Sequence, residues 1–201
     1  MGGTGATDRK RLNKVHLPKL TSEHLTLDEF TPLDAPILSA LATHPDIYRN
    51  TLDIPASYSE NLAREWIEHL YQPTQLALSQ LVWAIRKNPT KELMGVISLT
   101  KLNHQNRNGT LGYWLGHRYW RQGHGTRACE LVLDYGFKSL NLHKVHAEIL
   151  EHNERSIALL ERIGFQKEGH LRQNIMKDQK WLDLVIFALF SHQWPKTKET
   201  K

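Results

Sequence analysis

The sequence is nearly devoid of cysteine: Cys129 is the only one among 201 residues. A lone thiol excludes an internal disulfide and fits a reducing compartment, so cytoplasm is the default expectation. Long apolar runs are missing too. The longest candidate, residues 182–190, is nine residues interrupted by Asp183, well short of the ~18 that span a bilayer. Residues 1–20 lack the apolar centre of a secretory signal. No internal repeat and no long low-complexity tract is present, which excludes solenoids and arrays.

What is present is an ordinary globular composition, 40% hydrophobic and 23% charged. The net charge of +5 invites a nucleic-acid reading. Its location argues otherwise. Residues 1–20 hold five cations against one acid, and residues 196–201 three against one. Setting both aside leaves −1 for residues 21–195, a nearly neutral body between basic ends. The expected organisation is therefore a flexible basic tail over 1–20, one domain over 21–195 and a short C-terminal tail over 196–201. Specific nucleic-acid binding is not supported by charge alone.

Hydrophobic periodicity outlines the domain. Residues 25–27 alternate as a short strand, and a helix opens at Asp34 or Pro36 and runs to Leu41, with Pro45 as its stop. Ser59 and Glu60 cap a longer helix carrying Leu62, Trp66, Ile67 and Leu70, interrupted at Pro73. Residues 81–86 and 93–100 read as strands around the turn at Asn88 and Pro89. Residues 110–115 form a fourth strand, with Leu111, Tyr113 and Leu115 on one face. Ala128, Leu131, Val132 and Tyr135 recur at helical spacing, giving a helix from Gly123 to about Ser139. Lys144–Leu150 is a strand, and Asn153 caps a helix through Arg162 that Gly164 stops. Residues 165–171 and 181–189 are the last two strands, joined by the polar segment 172–180. Strands with helices inserted between them predict a mixed α+β sheet covered on both faces.

Two segments carry chemistry. After the strand ending near Leu115, a turn containing Gly123 and Gly125 feeds directly into an amphipathic helix. A helix start leaves backbone N–H groups unpaired and partially positive. Glycine lets a phosphate oxygen approach those amides, and Thr126 adds a hydroxyl. The run is neither a Walker loop, lacking Gly-Lys-Ser/Thr, nor a dinucleotide fingerprint, lacking a third glycine. A tight turn with no ligand explains the two glycines equally well. The second segment is Asn153-Glu-Arg-Ser156, followed by Leu159, Leu160 and Ile163. These three share a helical face with Ser156, whose hydroxyl then needs a partner from the protein or from a ligand. Taken alone, a capping asparagine and a serine bonded back to its own turn account for it.

The two segments lie about 28 residues apart across a strand, and in that combination the chain resembles the GNAT (Gcn5-related N-acetyltransferase) superfamily. Gly112-Tyr-Trp-Leu115, Tyr119-Trp120, Gly123-x-Gly125, Asp134-Tyr-Gly-Phe137, Leu142-His-Lys-Val145, Asn153-x-x-Ser156, Ile163-Gly-Phe165 and Trp181-Leu-Asp183 occur in the order of its RimJ/RimL-type branch, which acetylates protein N-termini. The similarity covers about residues 24–190 and is weak before Leu93. It implies a seven-stranded, mixed, largely antiparallel sheet splayed between its fourth and fifth strands, with acetyl-CoA in the opening. The backbone near Trp114 and Leu115 would hold the pantetheine. The amides of Arg121, Gln122, Gly123, His124, Gly125 and Thr126 would take the pyrophosphate. Asn153 would touch the cofactor arm, and Ser156 would protonate or hydrogen-bond the departing thiolate. Trp120 departs from the superfamily's Gln or Arg, and Arg121 replaces a frequent glycine. A homodimer is common among such enzymes.

Amide formation needs a neutral amine and stabilisation of oxyanion and thiolate. Cys129 sits within the long helix and reads as core, so direct transfer in a ternary complex is expected, with a backbone N–H near Leu115 polarising the carbonyl. A general base is not evident. His146 and Glu148 share a face of their strand and are the candidates, although surface placement explains each as well. Some relatives place an acid where Gln173, Asn174 and Ile175 stand here. A lysine amine of pKa about 10.4 is only ~0.1% neutral at pH 7.4, whereas an α-amine near 7.8 is roughly a quarter neutral. Weak base provision thus favours a protein or peptide N-terminus. Small-molecule amines (aminoglycoside, polyamine or amino acid) and a non-catalytic acyl-CoA module are the rivals. No metal site is expected: His143 and His146 face opposite sides of a strand and no ligand pattern completes them.

Overall fold

A meander comes first. The computed structural model describes residues 17–72 and 79–195. Five consecutive strands, β1 (Leu20–Thr21), β2 (Leu25–Asp28), β3 (Leu81–Lys87), β4 (Glu92–Asn103) and β5 (Asn108–Leu115), lie side by side, each antiparallel to the last. Strand β6 (Lys144–Leu150) then runs parallel to β5. An antiparallel pair, β7 (Gln166–Lys177) and β8 (Lys180–Phe190), completes a sheet of order β1-β2-β3-β4-β5-β6-β8-β7.

The sheet has eight strands where seven were expected, the addition being the two-residue β1. Leu17 is buried and Trp83 Nε1 donates to the Pro18 carbonyl at 2.7 Å, so residues 17–20 belong to the folded body. Residues 1–16 and 196–201, assigned to the tails, lie outside the described residues, as does Pro73.

The expected splay is present. β5 and β6 pair only at Asn108↔Lys144, Gly109↔Val145 and Thr110↔His146. Beyond Thr110, β5 continues to pair with β4 while its other edge is open. Excluding β1, these are the fourth and fifth strands.

Among the described residues five α-helices cover the sheet: α1 (Ala35–Ala42), α2 (Pro45–Asn50), α3 (Glu60–Leu70), α4 (His124–Asp134) and α5 (Glu154–Arg162). α4 packs on β1, β2, β4 and β5, while α1 packs on α3 and β4. Caps fall where the sequence signals them: Ser59 Oγ accepts from Leu62 N and Asn153 Oδ1 from Ser156 N, each at 3.2 Å. α1 ends at Ala42, ahead of Pro45 as expected, and Pro45 also begins a further short helix, α2. Its fixed φ and absent N–H suit a first turn, where no intrahelical acceptor is lost. The helix expected to reach Ser139 finishes in a wider π turn over Tyr135–Ser139.

The polar segment 172–180 is mostly strand rather than linker. β7 is the edge of the sheet and almost wholly exposed, so its alternation carries no apolar signal. Asp178 and Gln179 turn the hairpin at φ 48° and 60°, a left-handed pair that glycine or asparagine usually announces.

Arg86 ties α1 to the meander. Its guanidinium reaches Asp28 at 2.6 Å and grips both oxygens of buried Asp34 at 2.9 and 2.8 Å. Burial alone would raise the Asp34 carboxyl. The Arg86 fork and the Thr31 amide outweigh it and leave it below its usual range. Among the described residues, no helix is long and apolar enough to cross a membrane.

Candidate functional site

The gap between β5 and β6 is occupied by two adjoining cavities, of about 310 and 680 Å³. The smaller runs between the start of α4 and the start of α5. The larger lies under α3 and the segment after α2, against β4 and β6. Six residues line both: Asn50, Thr51, Tyr113, Trp114, Asn153 and Ser156. The two spaces therefore meet where the second half of β5 faces the first turn of α5.

The smaller cavity is headed by the expected turn. Gly123 caps α4 at φ 79° and ψ −4°, and no side chain caps the helix. The first intrahelical acceptor in use is Gly123 O, taken by Arg127 N. The amides of the first turn before Arg127 are thus left for a ligand. A Cβ at Gly125 would stand 3.0 Å from Leu159 Cδ1 of α5, so the absent side chain keeps the channel open. Arg121 also has a positive φ, 60°, which explains why glycine is frequent there in the superfamily. Arg121, Gly123, His124, Gly125 and Thr126 line the cavity with Trp114 and Leu115. Gln122 is not among the lining residues; it is exposed and its side chain donates to Arg118 O at 2.8 Å.

Trp120 bridges the cleft. Its Nε1 donates to Leu115 O at 2.7 Å, and the Arg155 guanidinium from α5 lies 3.5 Å above its ring. Such a contact contributes ~0.5–2 kcal/mol and needs an aromatic face that Gln or Arg would not offer.

Asn153 and Ser156 both line the junction of the two cavities. Asn153 is buried, with Oδ1 accepting from Ser156 N and Nδ2 donating to Asn50 O at 3.2 Å. Its amide therefore caps α5 and holds α2. The segment 48–51 forms a roof over the junction, held also by His152 at Arg49 O and by Lys177 at the carbonyls of Tyr48 and Thr51. Ser156 is half-buried, beside Tyr113.

Two buried side-chain polar atoms have no hydrogen-bond partner among the described residues: Tyr113 Oη and His124 Nδ1. Both residues line the smaller cavity. Leaving such a group unpaired costs about 1–3 kcal/mol, so its persistence points to a partner supplied by a ligand. Burial, with Lys87 and Arg127 nearby, pushes the His124 imidazole below its usual range, toward the neutral form. Burial raises the Tyr113 phenol far above its usual range, with Ser156 opposing in part. Strand alternation puts Tyr113 on the face of Leu111 and Leu115, away from Trp114, which by itself reads as packing. An unpaired hydroxyl at the mouth of a split sheet leaves no trace in sequence, so periodicity could not reveal it.

The two base candidates separate. Glu148 lies beyond the last β5–β6 pair and lines the larger cavity, where Lys101 Nζ holds it at 2.6 Å. His146 does not line either cavity. It pairs with Thr110 at the closed end of the split, 3.6 Å from Glu168. Burial and Lys144 lower its pKa. Cys129 is fully buried in α4, and burial raises its thiol far above the usual range.

His44, Asp46 and His117 gather beside Trp120, a grouping the sequence conceals because His117 is far from the other two along the chain. The imidazoles of His44 and His117 stack at 4.1 Å with planes 10° apart. Their in-plane lone pairs run parallel instead of converging, and His44 Nδ1 already accepts from Asp46 N.

A family model, "Acetyltransferase (GNAT) domain", matches residues 24–166. The N-acetyltransferase p20 of Bacillus licheniformis is 29% identical over 175 residues, covering 87% of this chain and 97% of that protein. The [ribosomal protein uS5]-alanine N-acetyltransferase of Escherichia coli is 30% identical over 105 residues, covering 52% and 54%. The spermidine N(1)-acetyltransferase of that species is 30% identical over 103 residues, covering 51% and 55%. Mycobacterium smegmatis RimJ, solved with CoA-disulfide, shares the fold with a TM-score of 0.76 at 20% identity, over 90% of this chain and 89% of that one.

Proposed function

The chain belongs to the GNAT acetyltransferase family, and from that premise we propose that it transfers acetyl from acetyl-CoA directly to the α-amine of a protein or peptide N-terminus. One observation carries the reading. Two cavities join at Ser156, Tyr113 and Trp114, and the smaller begins at a helix start whose amides are unpaired. Such a start favours a diphosphate, through both its N–H groups and its dipole. The amides at 123–126 would hold that group, Thr126 adding a hydroxyl and Arg121 a charge. Trp114 and Leu115 would flank the pantetheine arm. Acetyl-CoA supplies an activated thioester carbonyl.

The residues at the junction do the rest. Ser156 offers a hydroxyl to the departing sulfur. The roof formed by 48–51 and the Trp120–Arg155 bridge would limit the entry of water. Cys129 is buried and protonated, which supports attack by the amine without an acyl-enzyme.

For the acceptor, the larger cavity is informative. Among the described residues its carboxylates are Asp53 and Glu148, and Glu148 is engaged by Lys101. Much of the remaining wall is apolar, including Leu38, Ile54, Trp66, Val82 and Leu111. A polyamine with several charges would lose hydration there with few carboxylates to compensate. A single amine on an apolar residue suits the space better. Glu148, already ion-paired, would act through water as a weak base, which suffices for an α-amine.

The test is release of free CoA with a peptide whose lysines are blocked, the same peptide blocked at its N-terminus, and spermidine. Activity with the first alone is expected. Preference for spermidine or the lysine amine would overturn the acceptor assignment, and no release with any amine would leave a binding module. An acetylated enzyme accumulating without acceptor would overturn direct transfer.

A further inference from the structure

The Tyr113 hydroxyl is the one buried group at the cavity junction that nothing in the described fold employs. Its oxygen is shielded from solvent and, among the described residues, has no hydrogen bond of standard geometry; the Ser156 hydroxyl is near enough to lower its pKa but does not complete one. The residue lines both cavities, and Ser156 of α5 is its neighbouring hydroxyl. Sheet geometry puts it there: Tyr113 pairs across β4 with Ile97, but the edge of β5 toward β6 is open from Leu111 onward.

We propose that Tyr113 is a second hydroxyl donor at the acyl-transfer point, holding the thioester sulfur together with Ser156 while the carbon–sulfur bond breaks. The inference rests on acetyl-CoA occupying the smaller cavity. In the step, the acceptor nitrogen forms a bond to the carbonyl carbon, the carbon–sulfur bond breaks, and its electron pair stays on sulfur. Tyr113 and Ser156 both point an O–H at that charge. The nitrogen sheds one proton to solvent and the sulfur takes one up, so CoA leaves as the thiol and neither hydroxyl is consumed. Burial holds the phenol protonated through the working pH range, so Tyr113 serves as donor and not as base.

A packing role predicts unchanged catalysis in a variant that keeps the ring, and loss of an unpaired buried hydroxyl costs no stability. Tyr113→Phe keeps the ring and removes only that oxygen, so the variant should unfold in urea at or above the wild-type midpoint. Three readouts separate the roles. kcat should fall 10–100-fold with the KM of the amine within twofold. Affinity for CoA by calorimetry should fall at least fivefold, while affinity for desulfo-CoA, which lacks the sulfur, should stay within twofold. The double variant Tyr113→Phe/Ser156→Ala should lose less than the product of the single losses, since both donors serve one atom. Wild-type kcat with an unchanged ratio of CoA to desulfo-CoA affinity overturns the Tyr113 assignment alone. Failure of the wild-type protein to bind CoA overturns the acetyl-CoA reading beneath it.

Discussion

Gly123→Ala and Arg121→Gly should move stability in opposite directions for one reason. Both positions have left-handed backbone, at φ 79° and 60°. An L residue in that region costs ~1–2 kcal/mol, a penalty that glycine escapes. At Gly123 the added methyl meets nothing closer than Arg127 Nη1 at 3.9 Å, so the penalty is conformational and not steric. Alanine recovers a few tenths of a kcal/mol from a stiffer unfolded chain, leaving a loss of about 1 kcal/mol. For a chain of this size that is a Tm lower by roughly 2–4 °C. Arg121→Gly releases the same strain but concedes ~0.5–1 kcal/mol of glycine entropy, so its Tm should rise by about 1–3 °C. Binding should not follow stability. Gly123→Ala re-aims the cradle and Arg121→Gly removes a charge beside it, so each should weaken CoA several-fold in calorimetry. Calorimetric melting with and without CoA measures both. An unchanged Tm for Gly123→Ala, or a lower one for Arg121→Gly, would refute the strain argument; unchanged CoA affinity in both would refute the cradle.

Arg86→Met strands the carboxylates of Asp28 and Asp34 and should cost about 3–5 kcal/mol in urea unfolding, as broken buried pairs do. Because the Asp34 carboxyl is held below its usual range, its contribution is complete above the unfolded pKa of about 3.9 and fades as pH falls through the lower folded value. Asp34→Asn should remove that fading portion from the acid unfolding curve. His146→Ala should leave kcat within twofold and the pH–rate profile unmoved, whereas Glu148→Gln should lower kcat at least fivefold; the reverse pattern would relocate the base. Lys177→Met frees the carbonyls of Tyr48 and Thr51 from the hairpin and should raise the KM of the amine by a few-fold in steady-state assays, with kcat little changed.

Local chemistry wrote much of this protein into its sequence. The caps at Ser59 and Asn153, the strand Lys144–Leu150, the glycine turn before α4 and the serine one turn into α5 are short-range features. The hydrogen bonds of the caps and the alternation along the strand depend on residues at most a few positions apart. The same locality explains the errors. The helix that Pro45 opens is only six residues long, too short for periodicity to announce, and β7 carries a polar pattern because no layer covers the sheet edge. Tertiary structure alone decided the chemistry at the junction. Only the pairing that stops after Thr110↔His146 separates Glu148 from His146, opens Tyr113 to both cavities and brings Arg155 over Trp120. A sequence specifies which hydroxyls exist; whether one is left without a partner depends on every neighbour that folding brings, or fails to bring, within reach.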